Sequence, residues 1–326
     1  MVTFFLLYVA VFLFKQYTTE LENVVYFYKN KLIILRQTSI AKKRSRLMIY
    51  KTISLPVHYA GKLENAGQKP SLTTYLLENY DTLDPERTRP LVIICPGGGY
   101  DHLSAREAEA IAIRFNAMYF QAAILSYSLE PMEFPAAACD LAEALVYARS
   151  HAAEWHIDPD KIICCGFSAG GHLCATLGCY WNTDLLTSYL PYKNEEIRPN
   201  ALILNYPVIT ADEKFCHKKS INLVLGSTKK YGRDDVSLEQ HVTGDFPPAF
   251  LWHTLADQSV PAENSLLFAN ALRSAGVPFA YHLFTHGKHG LGLATAETSK
   301  TDGSAIEPEC QVWTDLFKMW WDRMEA

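Results

Sequence analysis

The run Leu91-Val92-Ile93-Ile94-Cys95, and with it Ile162-Ile163-Cys164-Cys165 and Ala201-Leu202-Ile203-Leu204, has no polar side chain to offer water on either side of an extended chain. Strands built that way must be covered on both faces, which a parallel sheet between two helical layers achieves and a half-exposed antiparallel sheet does not. Strands are expected at residues 91–95, 123–128, 161–166, 201–206, 249–254 and 279–284. Between them, residues 105–118, 136–151, 170–180 and 262–275 carry apolar side chains at helical spacing, and residues 307–324 close the chain in the same way. This alternation specifies the α/β class, with a mostly parallel central sheet and helices on both faces.

At 326 residues, 49% hydrophobic and 20% charged, the chain can bury one large core, and a single main domain is expected. The formal charge of −5 is mild, and the basic residues cluster once, at Lys42-Lys43-Arg44 with Arg46. Neither nucleic acid nor an anionic membrane is indicated as a general partner. None of the eight cysteines forms a C-x-x-C pair or lies near a metal-spaced histidine pair, so neither a zinc nor a redox site is expected. Several fall inside the apolar runs, where a free thiol packs as a small hydrophobe, and this fits a reducing, cytoplasmic setting.

Residues 2–14 are almost wholly apolar but fall short of the roughly 20 that span a bilayer. No basic residues precede them and no small-residue cleavage site follows. Residues 1–47 are read as an amino-terminal extension, open to three descriptions: a membrane-associated hairpin, a packed amphipathic helix or an upstream translated stretch. The last is favoured because every motif below lies after Met48, and residues 48–326 are expected to hold the functional domain.

Gly166-Phe167-Ser168-Ala169-Gly170 follows one expected strand and precedes an expected helix, the setting of a nucleophile elbow. A turn that tight lifts the Ser168 hydroxyl above the sheet and tolerates no side chain two residues to either side. The helix that follows aims its unpaired N–H groups at the same spot. Upstream, Pro96-Gly97-Gly98-Gly99-Tyr100 follows the first expected strand, and its successive glycines let backbone N–H groups come close to a carbonyl oxygen. Gly97 and Gly98, with Ala169, are the expected oxyanion donors. A nucleotide loop is disfavoured, since neither G-x-G-x-x-G nor G-K-[ST] is present.

A serine hydroxyl is a weak nucleophile and needs a base, itself held by an acid. Asp257 follows the strand expected at 249–254, and His289 lies in Thr285-His286-Gly287-Lys288-His289-Gly290 after the next. His289 is preferred to His286, which lies closer to the strand end, because it fits a Gly-x-His-Gly arrangement, and Asp257 is preferred to Asp245 and Asp302 because neither of those follows a strand in the right place. His102, His172 and His253 are expected in surface or structural roles. Residues 183–199 and 211–245 are longer and more polar than other connections and are expected to shape a pocket above the carboxyl end of the sheet, with Tyr100, His172, Tyr206 and Phe215 as lining candidates.

With these residues assembled, the chain from about residue 50 to 324 resembles bacterial α/β-hydrolases of the acetyl-xylan-esterase-like, feruloyl-esterase-related group, relatives of the hormone-sensitive-lipase and prolyl-oligopeptidase catalytic domains. The matching stretches are the glycine loop, Ser104-Ala105-Arg106-Glu107, the elbow continued through Gly171-His172-Leu173, Asn205-Tyr206-Pro207-Val208, the segment 247–254 with Asp257 and Val260-Pro261, and His286 to Leu291. The resemblance implies a cofactor-free serine esterase that removes acetyl or other short acyl groups from carbohydrates or small alcohols. One departure stands out: hormone-sensitive-lipase relatives carry histidine before the glycines, where this chain has Pro96. An amidase or peptidase on the same fold, arylformamidase-like, and a non-catalytic hydrolase-like binding protein are the alternatives.

Overall fold

Side chains alternate along the apolar runs between two buried layers, as their lack of polar residues demands. The computed structural model describes residues 23–28, 31–36, 48–57 and 69–326. The chain divides into two units, Met1–Leu47 and Met48–Ala326. In the first, β1 (Asn23–Tyr28) and β2 (Lys31–Arg36) pair antiparallel, with Tyr28 opposite Lys31. The apolar run at 2–14 and the basic cluster at 42–46 lie outside the described residues.

The second unit holds one eight-stranded sheet. Its strands are β3 (Ile49–Ser54), β4 (Ser71–Leu76), β5 (Arg89–Cys95), β6 (Gln121–Ser126), β7 (Ile157–Phe167), β8 (Ala201–Asn205), β9 (Ala249–Thr254) and β10 (Phe279–Phe284). Their spatial order is β3-β4-β6-β5-β7-β8-β9-β10. From β6 to β10 every pairing is parallel, while β4 pairs antiparallel with both β3 and β6. The two added strands are the ones sequence patterning did not mark. Tyr50, Lys51 and Thr52 of β3 are exposed, and β4 carries Thr73 and Thr74, so neither strand reads as an apolar run.

The longer helices are α1 (Glu109–Ala117), α2 (Ala136–Ser150), α3 (Ala169–Tyr180), α4 (Lys218–Leu225), α5 (Glu263–Ser274) and α6 (Trp313–Met324). Leu91, Ile93 and Cys95 of β5 join a core with Leu141 of α2, Leu173 of α3 and Phe268 of α5. Val92 and Ile94 point the other way, into a core with Phe115 of α1 and Trp313 and Phe317 of α6. The sheet is thus covered on both faces. Seven of the cysteines are buried as free thiols, with Cys216 half-buried, as packing hydrophobes rather than a bridged framework. Among the described residues no helix is long and apolar enough to cross a membrane.

One expectation about the loops needs correction. Residues 183–199 join the end of α3, which runs back from the carboxyl edge of the sheet, to the start of β8, so they lie at the amino edge, away from Ser168. Arg149 fixes them there through Arg198 O at 2.5 Å, and Asn200 N–H donates to Ile162 O at 2.9 Å. Only residues 211–245, which leave the carboxyl end of β8, reach the site.

Candidate active site

β7 delivers the chain to Ser168, which takes φ +52° and ψ −115°, a left-handed backbone that a residue with a side chain rarely adopts. The turn closes because backbone packs on backbone. A β-carbon on Gly166 would fall 2.1 Å from Gly170 O, and one on Gly170 would fall 2.0 Å from Cys95 O. Neighbouring strands hold the strained turn. Ser168 N–H donates to Asn205 O at 3.0 Å, and Asn205 Nδ2 donates to Gly166 O at 2.9 Å. Trp252 Nε1 in turn fixes the Asn205 side chain at 2.6 Å.

His289 Nε2 lies 2.8 Å from Ser168 Oγ, and its Nδ1 lies 2.6 Å from Asp257 Oδ2. The Asp257 carboxylate accepts only, so Nδ1 carries the ring proton and Nε2 is left to accept from the serine hydroxyl. Asp257 Oδ1 accepts from the N–H groups of Ser259 and Val260, each at 2.9 Å. Burial alone would raise the Asp257 pKa, but the bonds from His253 and His289 outweigh it and hold the carboxyl well below the usual range. His253 is fully buried, with Nε2 3.4 Å from Asp257 Oδ2 and 3.0 Å from Val260 O. It supports the acid loop from below. The rivals sit elsewhere: His286 contacts Glu309 at 3.3 Å on the surface, Asp245 accepts from Asn182 at 3.1 Å, and Asp302 caps Ser304 N–H at 2.9 Å.

Gly97 must be corrected as an oxyanion donor. Its N–H is already given to Glu107 Oε2 at 2.8 Å, so it has no hydrogen left for a substrate oxygen. Gly97 instead allows close approach, since a β-carbon there would lie 3.0 Å from Ser168 Cβ. Among the described residues the Gly98 and Ala169 N–H groups have no acceptor. Glu107 is buried, and its Oε1 accepts from Tyr206 O–H at 2.7 Å. Burial and then the Glu107 charge hold the Tyr206 pKa well above the ordinary range, so the phenol stays a donor. Tyr206 Oη also accepts from Gly292 N–H at 2.9 Å, and its ring lies edge-on to His289, 5.2 Å between centroids. One carboxylate therefore ties the glycine loop to the histidine loop.

This arrangement can deprotonate a serine hydroxyl at a point flanked by free backbone donors, which suits acyl transfer. The BD-FAE family model matches residues 77–272, a stretch running from just after β4 into α5. The chain belongs to the BD-FAE family. Among similar proteins, endo-1,4-beta-xylanase B of Butyrivibrio fibrisolvens is 36% identical over 245 residues, 71% of this chain and 36% of that protein. The acetylxylan esterase of Xylanibacter ruminicola is 30% identical over 212 residues, 63% of this chain and 41% of that protein. The chain thus spans 36% and 41% of the length of these two relatives. The crystal structure of an acetyl ester-xyloside bifunctional hydrolase from Caldicellulosiruptor lactoaceticus superposes with a TM-score of 0.67 at 34% identity, covering 79% of this chain and 89% of that one. The α/β-hydrolase fold and the acetyl-xylan-esterase-like resemblance both follow.

In this BD-FAE member, Tyr100 lines a cavity with Met132, Phe134 and Leu173, while His172 and Tyr206, also expected to line a pocket, do other work. Tyr100, His172 and Tyr206 are buried. His172 Nε2 donates to Val236 O at 3.0 Å and its Nδ1 accepts from Tyr100 O–H at 2.9 Å, a strut between the elbow helix, the glycine loop and residues 211–245. His253 takes the structural role expected of it, whereas the part played by Glu107 escaped sequence reasoning because no local pattern marks a residue whose partner lies 99 positions away, as Tyr206 does from Glu107.

Proposed function

We propose that residues 48–326 form a serine-dependent carboxylic ester hydrolase that removes acetyl or other short acyl groups from carbohydrates. The observation that carries this reading is the chain of contacts from Ser168 through His289 to Asp257, at 2.8 and 2.6 Å, with the serine on a strained elbow. His289 takes the Ser168 proton as Oγ attacks the ester carbonyl. The oxygen that becomes negative is met by the N–H groups of Gly98 and Ala169, each such donor being worth about 3 kcal/mol in enzymes of this kind. His289 then protonates the departing alcohol, an acyl-serine remains, and a water activated by His289 releases the acid. Asp257 orients the ring and stabilises its charged form.

The carbohydrate alcohol is supported by relatives named for acetylxylan and acetyl ester-xyloside hydrolysis. A cytoplasmic location is supported by thiols that are all free. Ser168→Ala tests the mechanism. Hydrolysis of p-nitrophenyl acetate and of acetylated xylo-oligosaccharides is expected to fall by about a thousandfold or more with the circular dichroism unchanged. Retention of activity by that variant would exclude Ser168 as nucleophile.

A further inference from the structure

After β8 the chain crosses from the acid side of the site to the glycine loop, and it is fastened at both ends of the crossing. On the acid side the fully buried Asn264 of α5 donates to Phe215 O at 2.9 Å and accepts from the N–H groups of Ile209 and Thr210 at 2.9 and 3.1 Å. On the far side Lys219 Nζ lies 2.6 Å from Asp101 Oδ2, just beyond the glycines. Between these anchors sits His217, half-buried, with Nδ1 2.7 Å from Oγ of the buried Ser220. A β-carbon on Gly99 would lie 4.0 Å from His217 Cε1 and 3.5 Å from Ser220 Oγ, so this imidazole stands directly over the glycine loop.

The Ser220 hydroxyl has no other acceptor among the described residues. It donates to Nδ1, which puts the ring proton on Nε2, and among the described residues no protein group takes that proton. Burial, and then the neighbouring His289, hold the His217 pKa below the ordinary histidine range, so the ring is neutral at pH 7. The site therefore contains a second, preorganised, uncharged donor beside the glycine loop.

An acetyl ester has little to offer such a donor. Its carbonyl oxygen is taken by Gly98 and Ala169, its bridging oxygen receives the proton from His289, and its methyl group accepts nothing. The remaining acceptors belong to the alcohol. We propose that His217 is a substrate-contact residue on the alcohol side of the site, its Nε2–H donating to a hydroxyl or ring oxygen of a carbohydrate ester. This rests on the ester-hydrolase reading and extends it to the source of alcohol specificity.

The experiment compares the full chain with His217→Phe and His217→Asn on two substrates: acetylated xylo-oligosaccharides, and phenyl acetate, whose alcohol has no further oxygen. His217→Phe is expected to lower kcat/KM on the oligosaccharides by about tenfold or more while phenyl acetate changes by less than about twofold, and His217→Asn, which keeps a donor, recovers part of the loss. Equal losses on both substrates, or no loss on either, overturn the proposal. So does a native chain that hydrolyses phenyl acetate and leaves the oligosaccharides untouched, although ester hydrolysis would then stand. A native chain that hydrolyses neither overturns the ester-hydrolase reading itself.

Discussion

Glu107 shows how much a single side chain can organise. Its two oxygens accept from Gly97 N–H and Tyr206 O–H at 2.8 and 2.7 Å, both inside the protein. Glutamine has the same shape but only one accepting oxygen, so Glu107→Gln turns an amide N–H toward one of two buried donors. An unsatisfied buried donor costs about 1–3 kcal/mol, and the lost alignment is expected to lower kcat on p-nitrophenyl acetate by about tenfold or more while KM changes little. Tyr206→Phe leaves Glu107 Oε1 without its donor and Gly292 N–H without its acceptor, and is expected to lower kcat by a similar factor. Native kcat in Glu107→Gln would mean that the carboxylate only fills space.

At the scale of elements, the site depends on how closely the end of β5 approaches the start of α3. A β-carbon on Gly170 would meet Cys95 O at 2.0 Å and Pro96 O at 2.7 Å, and both belong to backbone that cannot swing aside. Gly170→Ala is expected to cost about 1–3 kcal/mol by overpacking and to shift the glycine loop with it. Gly276→Ala is the control: that residue has φ +74° with nothing within 4 Å of an added carbon, so only backbone strain of about 1 kcal/mol applies. Thermal melts and esterase assays of the two variants should show a lower Tm for both and lost activity for Gly170→Ala alone. Equal activities would mean that the β5–α3 contact does not set the geometry of the site.

At the scale of the whole molecule, His172 couples stability to pH. Burial lowers its pKa to about 4, against a smaller opposing effect of its bond to Val236. The unfolded chain takes up a proton on this ring below about 6.5, and the folded one does so only near 4, so the stabilisation is complete above about 6.5 and declines as pH falls toward 4. Between pH 7.5 and 5 this residue should remove about 2 kcal/mol of folding stability. In denaturant titrations at those two pH values, His172→Gln should lose less stability than the native chain by about that amount. Identical losses would show that the strut titrates like an exposed histidine.

Much of this protein can be read along the chain. Strands buried on both faces must lack polar side chains, so β5, β7, β8 and β9 stand out as apolar runs, and an elbow that admits no β-carbon must spell Gly166-x-Ser168-x-Gly170. Ser168, Asp257 and His289 were legible because each follows a strand and so falls at one edge of the sheet. Tertiary structure alone decided the rest. Whether Gly97 or Gly98 keeps a free N–H depends on Glu107, and where Glu107 points depends on Tyr206, brought in by another strand. The placement of His217 over Gly99 likewise depends on anchors at Asn264 and Asp101, far away in sequence. Periodicity and turn chemistry are local and leave a trace in neighbouring residues, whereas a hydrogen bond between distant loops is made only when the sheet has already brought them together.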